Sequence, residues 1–466
     1  MKRLRPFYTG QKRPAKTIRR FGKLAVRFGL VVVVGLSFGL RFWQIGRFNS
    51  LVFDEIYFAK FAQAYLEGFP VFDAHPPLGK YLIATGMWLY DHVPVLPVGI
   101  GERAAGRVTA EIGLSPVSYR WVNAFVGACI PILVVAIART LSTERSQNNS
   151  WIFSLLAGTF VAIDGLFITE SRYALLNVYV VFFGLLGHWL WLSAEADSRW
   201  REISLRVLAG ASLGAAIGVK WNGLGYVLSL FLWESYQLQK SPGLRFGRRV
   251  AIRQATYLGV VPFVFYWFIW WPHLQLTGET FTSVHWRLFT FHQQLDAVQV
   301  ACSKWYTWPL LIKPIAYWYE DFGETVHAVN NLGNPALWWL SAAAVLLLCL
   351  SRLWQRLQRG GLLMDRRSDA GSYLLIGYVS NWVPWVLVRR CTYLYLHMPA
   401  AVFGFMTLAW LMDRWLADGS PMGAKVMAGL MLGAIALAFF FWLPLSLGSP
   451  LTPEQLQLRW WLPSWI

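Results

Sequence analysis

Apolar runs long enough to cross a lipid bilayer, and nearly free of charge, recur along this chain. Read at about 20 mostly apolar residues per spanning helix, they make about eleven spans. Their centres fall near Val33, Ala128, Leu156, Phe182, Leu213, Leu228, Val264, Val345, Ile376, Phe405 and Ile435. No soluble domain hides this much apolar surface: 56% of the 466 residues are hydrophobic and 14% are charged, against roughly 25% charged in a soluble domain. The 27 Trp and 19 Tyr suit two membrane–water interfaces, where amphipathic rings settle. The expected fold class is an all-α polytopic membrane protein.

A formal net charge of +18 invites a nucleic-acid partner, but its distribution argues for a lipid one. Lys and Arg gather in the first 23 residues and in alternate short loops: RTLSTERSQNNS, AEADSRWREISLR, SPGLRFGRRVAIR, SRLWQRLQRGGLLMDRRSD and DRWLADGSPMGAK. That is the positive-inside pattern, and it puts the N-terminal tail in the cytoplasm facing anionic lipid. An odd number of spans then puts the C-terminus outside. The expected divisions are a basic tail (1–23), an N-terminal transmembrane catalytic module (24–271) with an outer loop at about 42–116, a second outer loop (272–335), a C-terminal transmembrane module (336–446) and an outer tail (447–466). Of the four cysteines, Cys129 and Cys349 fall inside apolar spans as packing residues. Cys302 and Cys391 fall near the outer face, where pairing is open to them, but no disulfide framework is expected. No CxxC or HExxH pattern points to zinc.

The first outer loop carries the densest chemistry. Asp54 and Glu55 stand at the N-terminus of an amphipathic stretch, IYFAKFAQAYL, that suits a helix lying on the membrane surface. Two carboxylates there are either a helix cap or a catalytic base with its neighbour. Asp73-Ala74-His75-Pro76-Pro77-Leu78-Gly79-Lys80 reads as a rigid turn opening a second surface helix, with Asp73 able to cap it and His75 and Lys80 adding titratable or positive groups. Arg120, Arg172, Lys220, Arg389 and Arg390 fall where spans meet the outer face, against the positive-inside trend. Cations near hydrocarbon pair with an anion, line a polar cavity or snorkel to the interface. Several on one face, opposite an acidic loop, suit a phosphate group.

These residues resemble the protein O-mannosyltransferase family, a branch of the GT-C glycosyltransferases. The matching stretches are FDEIYFAKFAQAYLEG, FDAHPPLGKYL, SYRWVNAFVGA, ESRYALLNVYVVFF, VKWNGL, SKWYTWPLLIKPIAYWY, GNPALWW and NWVPWVLVRRCTYLYLHMP, in family order from about residue 50 to 410. The resemblance implies a GT-C fold, with Asp54 as general base, Glu55 beside it, and Arg120 linked to the carrier or to the acidic pair. Arg172, Lys220, Arg389 and Arg390 follow as carrier-site positions, with Asp73, His75 and Lys80 near the substrate. Leu175-Leu176-Asn177 stands where the family often reads LLD, so no acidic role is assigned there. The late Tyr-His pattern is displaced to Tyr395-Leu396-His397. Loop 272–335 is too short for the MIR domain of eukaryotic members, which resembles bacterial members and implies a plasma membrane.

The implied reaction moves mannose, or a related hexose, from a polyprenyl-phosphate carrier to Ser or Thr hydroxyls of a polypeptide, by one inverting displacement and without a cofactor or metal. Expected partners are the polyprenyl-phosphate sugar, the acceptor polypeptide and the lipid bilayer, with no nucleic acid. A GT-C enzyme decorating a lipid or polysaccharide is the alternative within the class. A transporter or flippase is the alternative outside it, but that would want charges at the bilayer midplane and paired broken helices.

Overall fold

The computed structural model describes residues 16–93, 109, 111–143, 151–194, 198–240, 244–294, 301–358 and 369–466. Most of the basic tail, much of the first outer loop's second half, residues 295–300 and parts of four Arg-rich loops lie outside the described residues. The rest is mostly helical. In chain order the helices are α1 (Lys16–Phe42), α2 (Glu55–Glu67), α3 (Leu78–His92), α4 (Pro116–Thr143), α5 (Ile152–Ile163), α6 (Gly165–Arg172), α7 (Asn177–Leu192), α8 (Arg199–Val219) and α9 (Leu224–Lys240). They continue as α10 (Leu244–Arg253), α11 (Val261–Thr277), α12 (Phe281–Gln294), α13 (Pro335–Gln358), α14 (Asp369–Trp382), α15 (Met398–Leu416), α16 (Met422–Leu447) and α17 (Pro453–Gln457). A π-helical stretch, 254–260, joins α10 to α11.

Each expected span centre falls in one of these helices. Among the described residues, six helices are long and apolar enough to cross a membrane, and a seventh crossing follows if α5 and α6 count as one span. That pair bends by 57° at Asp164. The bend has a polar cause. Asp164 caps α6 by accepting from the Phe167 N–H, and its other oxygen accepts from the Asn334 N–H and Trp338 Nε1 at the start of α13. A carboxylate inside a span is tolerated only when so satisfied.

Apolar side chains point outward as well as inward. Phe28 and Val31 on α1, and Leu437 and Phe440 on α16, are exposed. In water such faces would drive aggregation; in lipid they are the solvated surface. Helix α15 is the opposite case, enclosed by neighbours over 89% of its most apolar window. It packs on α13, α14 and α5, and so forms the central post of the bundle.

The surface helices expected in the first outer loop are α2 and α3, packed on each other. The all-α expectation is corrected outside the bundle. Strands β1 (Ala316–Asp321), β2 (Val326–Asn330) and β3 (Pro450–Leu451) form an antiparallel sheet in the order β1-β2-β3. The β1 and β2 sequences, AYWYED and VHAVN, have the aromatic and β-branched content that fits a pleated, half-buried surface. The sheet fastens the C-terminal tail to the second outer loop, and Trp465 Nε1 adds a hydrogen bond to the Leu311 carbonyl at 2.6 Å.

A second correction concerns the cysteines. Cys302 and Cys391 form a disulfide, with Cα atoms 5.2 Å apart. The bond joins the second outer loop to the segment after α14. The Ser303 N–H to Thr392 carbonyl bond (2.8 Å) and the Thr392 hydroxyl to Ser303 carbonyl bond (2.6 Å) zip the same two strands of chain together. Thiol labelling of the unfolded protein should therefore find Cys129 and Cys349 alone without reductant, and all four cysteines with it. Cys391→Ser should lower the thermal midpoint, in line with the ~2–4 kcal/mol typical of a native disulfide. Four free thiols without reductant would refute the bond.

Candidate active site

Asp54 and Glu55, adjacent in sequence, go separate ways. Consecutive residues on a helix point about 100° apart, so one of the pair faces inward when the other faces the site. Glu55 is fully buried. Its carboxylate takes a fork from Arg120, Nε to Oε1 at 2.9 Å and Nη2 to Oε2 at 2.7 Å. It also accepts from the Val52 and Ala174 N–H groups, each at 2.8 Å. The rest of Arg120 is equally committed. Nη1 donates to the Phe48 and Ile45 carbonyls and Nη2 to the Ser50 carbonyl, and the guanidinium lies against the Tyr119 and Tyr173 rings. All five N–H donors of the guanidinium are thereby used. Arg120 thus pairs with Glu55 of the acidic pair and has no N–H left over for a phosphate, and the Glu55 carboxylate is committed to Arg120 and two backbone N–H groups.

Arg172 has a similar fate. It was expected at the carrier site, but Nη1 donates to the Leu40, Arg41 and Trp43 carbonyls and Nη2 to that of Gln44. These are carbonyls at the C-terminal end of α1, which have no partner within the helix. Arg172 is a cap supplied in trans. Lys80 is also internal. Only 1% exposed, it pairs with Asp73 and donates to the His75 carbonyl at 2.7 Å. Asp73 is therefore not the cap of α3. It closes a charged staple that gives the HPPLGK turn its shape.

Asp54 remains free. It occupies the N-cap position of α2, yet its side chain makes no capping hydrogen bond. Among the described residues its carboxylate has no hydrogen-bond donor. Phe53, just before it, takes a left-handed φ of 53°, uncommon for a bulky residue, and its ring stacks on Tyr317 at 4.0 Å. Burial pushes the Asp54 pKa up to about 6, with nearby Lys220 opposing the rise and Asp73 adding to it.

Lys220 sits in the turn between α8 and α9, buried, and donates to Asn177 Oδ1 at 3.0 Å. Asn177 Nδ2 in turn donates to Glu170 at 3.0 Å, and the Tyr317 hydroxyl donates to the other Glu170 oxygen. Lys220 also lies over the Tyr395 ring at 5.1 Å. Burial lowers its pKa, while Asp54, Glu170 and Asp73 resist that shift. Sequence reasoning missed Glu170, Asn177 and Tyr317 as one unit. Its only signal was an acidic residue inside the apolar run at ESRY, which the neighbouring Arg172 overshadowed.

Lys220 opens onto a cavity of about 1420 Å³. His75, His292, Arg389 and Arg390 line its polar end, and Leu224, Val227, Leu228, Phe231 and Leu258 line the remainder. Arg389 is exposed and Arg390 half-buried, and among the described residues neither has a hydrogen-bond partner. His75 is held neutral: burial, then Lys220, Lys80, His292 and Arg390, push its pKa well below the usual imidazole value. It can accept or donate one hydrogen bond but is not a phosphate cation. Among the described residues, no three His, Cys, Asp or Glu side chains gather as a metal-holding group.

The two kinds of cation should separate on mutation. Arg120→Ala leaves Glu55 charged and buried, a loss of about 3–5 kcal/mol, and should sharply lower the thermal midpoint and the yield of folded protein in detergent. Lys220→Ala should change the midpoint far less and raise the carrier KM on the order of 10-fold or more. A normal midpoint in Arg120→Ala, with weakened carrier use, would return Arg120 to the binding site.

A family model described as dolichyl-phosphate-mannose-protein mannosyltransferase matches residues 31–277, and one described as the C-terminal four TMM region of protein-O-mannosyltransferase matches residues 277–465. The polyprenol-phosphate-mannose–protein mannosyltransferase of Mycobacterium tuberculosis is 24% identical, over 97% of this chain and 95% of its own. That of Corynebacterium glutamicum is 22% identical, over 84% and 81%. A chain of the S. cerevisiae Pmt1-Pmt2 complex bound to the sugar donor superposes with a TM-score of 0.77 at 16% identity, covering 95% of this chain and 92% of that one. ArnT from Cupriavidus metallidurans bound to undecaprenyl phosphate shares the fold more distantly, with a TM-score of 0.53 at 15% identity over 93% and 77%. A multi-pass bundle of GT-C fold, matched from residue 31 to residue 465 by the two models, places this chain in the protein O-mannosyltransferase family.

Proposed function

We propose that this protein transfers mannose from a polyprenyl-phosphate carrier to Ser or Thr hydroxyls of polypeptides, with Asp54 as general base. The observation that carries the reading is the unengaged Asp54 carboxylate beside Lys220, close to the polar end of a largely apolar cavity. The relatives' names supply the donor and the protein acceptor. The apolar length of the cavity holds the polyprenyl tail. Lys220, Arg389 and Arg390 hold the phosphate. Asp54 takes the proton of the acceptor hydroxyl as its oxygen bonds to the anomeric carbon. The bond from that carbon to the phosphate oxygen breaks, and polyprenyl phosphate leaves as an anion stabilised by the same cations. The sugar is inverted once. The scheme needs neither metal nor other cofactor.

The chain crosses the membrane about eleven times in this reading, each span near the 20-residue length or completed by a shorter helix. The N-terminus is cytoplasmic, and the active site and C-terminus lie outside the plasma membrane of a bacterial cell. The N-terminal module, 24–271, carries the base, and the module at 336–446 contributes the arginine arm at its outer end. Reporter fusions after Ile466 and within 237–254 should read outside and inside; the same side for both would sink this map.

The test of function is single-turnover transfer from polyprenyl-phosphate mannose to a Ser/Thr peptide by purified protein. Asp54→Asn should bind carrier and keep its thermal midpoint, since no cap bond is lost, while turnover falls about 10²–10⁴-fold. Wild-type rates in that variant would move the base elsewhere. The pH profile has a definite sign. Asp54 acts as the carboxylate and takes up a proton as pH drops through about 6, so kcat/KM should be flat above that value and fall tenfold per pH unit below it. A flat profile down to pH 4 excludes Asp54 as base.

A further inference from the structure

Among the described residues, four buried polar atoms of cavity-lining side chains have no hydrogen-bond partner: Asn222 Oδ1, His292 Nδ1, Ser380 Oγ and Asn381 Oδ1. Ser380 is 2% exposed and Asn381 4%. The Asn381 amide nitrogen is already committed, donating to the Gly377 carbonyl at 2.9 Å within α14, so the oxygen is the end left over. Gly225, in the first turn of α9, faces that oxygen, and a side chain at 225 would collide with it. Asn222 stands two residues beyond Lys220. The orphaned acceptors therefore lie at the level of the α9 N-terminus, beside the proposed phosphate cations. They do not lie farther down the apolar wall at Phe231 and Leu258.

Buried acceptors without donors are rare in native proteins, because each forfeits its hydration without recompense. The proposed donor substrate has three parts with different hydrogen-bonding capacity. A polyprenyl tail has no polar atoms. A phosphodiester at neutral pH has acceptors and no protons to give. The hexose alone offers donors, through its hydroxyls. Lysine and arginine, which only donate, match the phosphate; two amide oxygens that only accept match the hydroxyls. We propose that Asn222 and Asn381 accept hydrogen bonds from hydroxyls of the transferred hexose, forming the subsite that selects the sugar. Ser380, the neighbour of Asn381, adds a group able to donate or accept. The lack of a side chain at Gly225 gives the Asn381 oxygen its place against α9. This subsite rests on the reading of the chain as a user of a lipid-linked sugar phosphate.

A site built to hydrogen-bond a hydroxyl discriminates strongly against the analogue that lacks it. The experiment uses full-length protein in detergent, a Ser/Thr peptide, polyprenyl-phosphate mannose and the donors lacking one hydroxyl at a time. Wild type should lose on the order of 10–100-fold in kcat/KM on at least one deoxy donor. Asn381→Leu and Asn222→Leu, near in volume, should lose a similar factor on mannose itself and show no further loss on the matching deoxy donor. Gly225→Ala, which crowds Asn381 Oδ1 from the opposite helix, should reproduce the Asn381→Leu pattern if that variant folds poorly. Discrimination that persists unchanged in the variants would overturn the subsite and leave these atoms to bound water or packing. So would a uniform loss on every donor. No transfer from polyprenyl-phosphate mannose by wild type, with transfer from another lipid-linked hexose, would overturn the mannose reading; the subsite would then be judged on deoxy forms of that hexose. No transfer from any lipid-linked sugar would overturn both.

Discussion

The ion pair between Glu55 and Arg120 is the contact on which the placement of α2 and the segment before it depends. It joins α2 to α4 and, through the Arg120 donors, holds the carbonyls of Ile45, Phe48 and Ser50, so the chain leaving α1 has one path to α2. Asp54 lies on that path, one residue before Glu55. Its carboxylate is aimed by its neighbour's burial, and the left-handed turn at Phe53, stacked on Tyr317, completes the aim. A buried pair of this kind is weak ground for claiming extra stability, since the same volume filled with apolar groups is often as stable. What it supplies here is one arrangement out of many. Within lipid that matters more than in water, because apolar side chains gain little by leaving hydrocarbon for each other, and helix positions are decided by close packing and polar contacts.

The same logic runs through the other internal charges. Arg172 closes the end of α1, Asp164 bends α5 into α6 and ties both to α13, and Lys80 with Asp73 shapes the turn before α3. Each is largely removed from solvent and each is engaged by protein groups. Against that background, the charged and amide groups left without a partner among the described residues in and near the cavity stand out: Asp54, Arg389, Arg390 and the amide oxygens of Asn222 and Asn381. Division of polar residues into committed and uncommitted ones separates scaffold from site here better than burial alone.

Much of the fold was legible in the sequence. Apolar run length located a helix at each expected centre, and the DE and HPPLGK stretches marked the two surface helices. Asp54 and Lys220, singled out by type and position, do lie near each other in the fold, as the proposed mechanism requires. The roles of Glu55, Arg120, Arg172, Asp73 and Lys80 were not, because a charge in a sequence announces the need for a partner without naming it. Here the partners were backbone carbonyls and residues many turns away. Glu170 was missed for the same reason: it gains its meaning from Tyr317, 147 residues further on. The sheet escaped notice because its third strand is two residues long and pairs across more than a hundred positions. The disulfide spans 89 residues and obeys no local spacing rule.

That disulfide bears on how the protein is made. The chain between Cys302 and Cys391 contains the sheet hairpin, α13 and α14. The bond can close only after all of these have been synthesised and α14 has settled back toward the second outer loop. Disulfides form and persist in oxidising compartments, so closure requires both sulfurs to be exposed to one. Arg390 is the residue immediately before Cys391. The bond joins the Ser303–Thr392 hydrogen bonds in fixing the chain beside that arginine. A newly inserted chain thus has these helices before it has the covalent bond that fixes the segment beside Arg390.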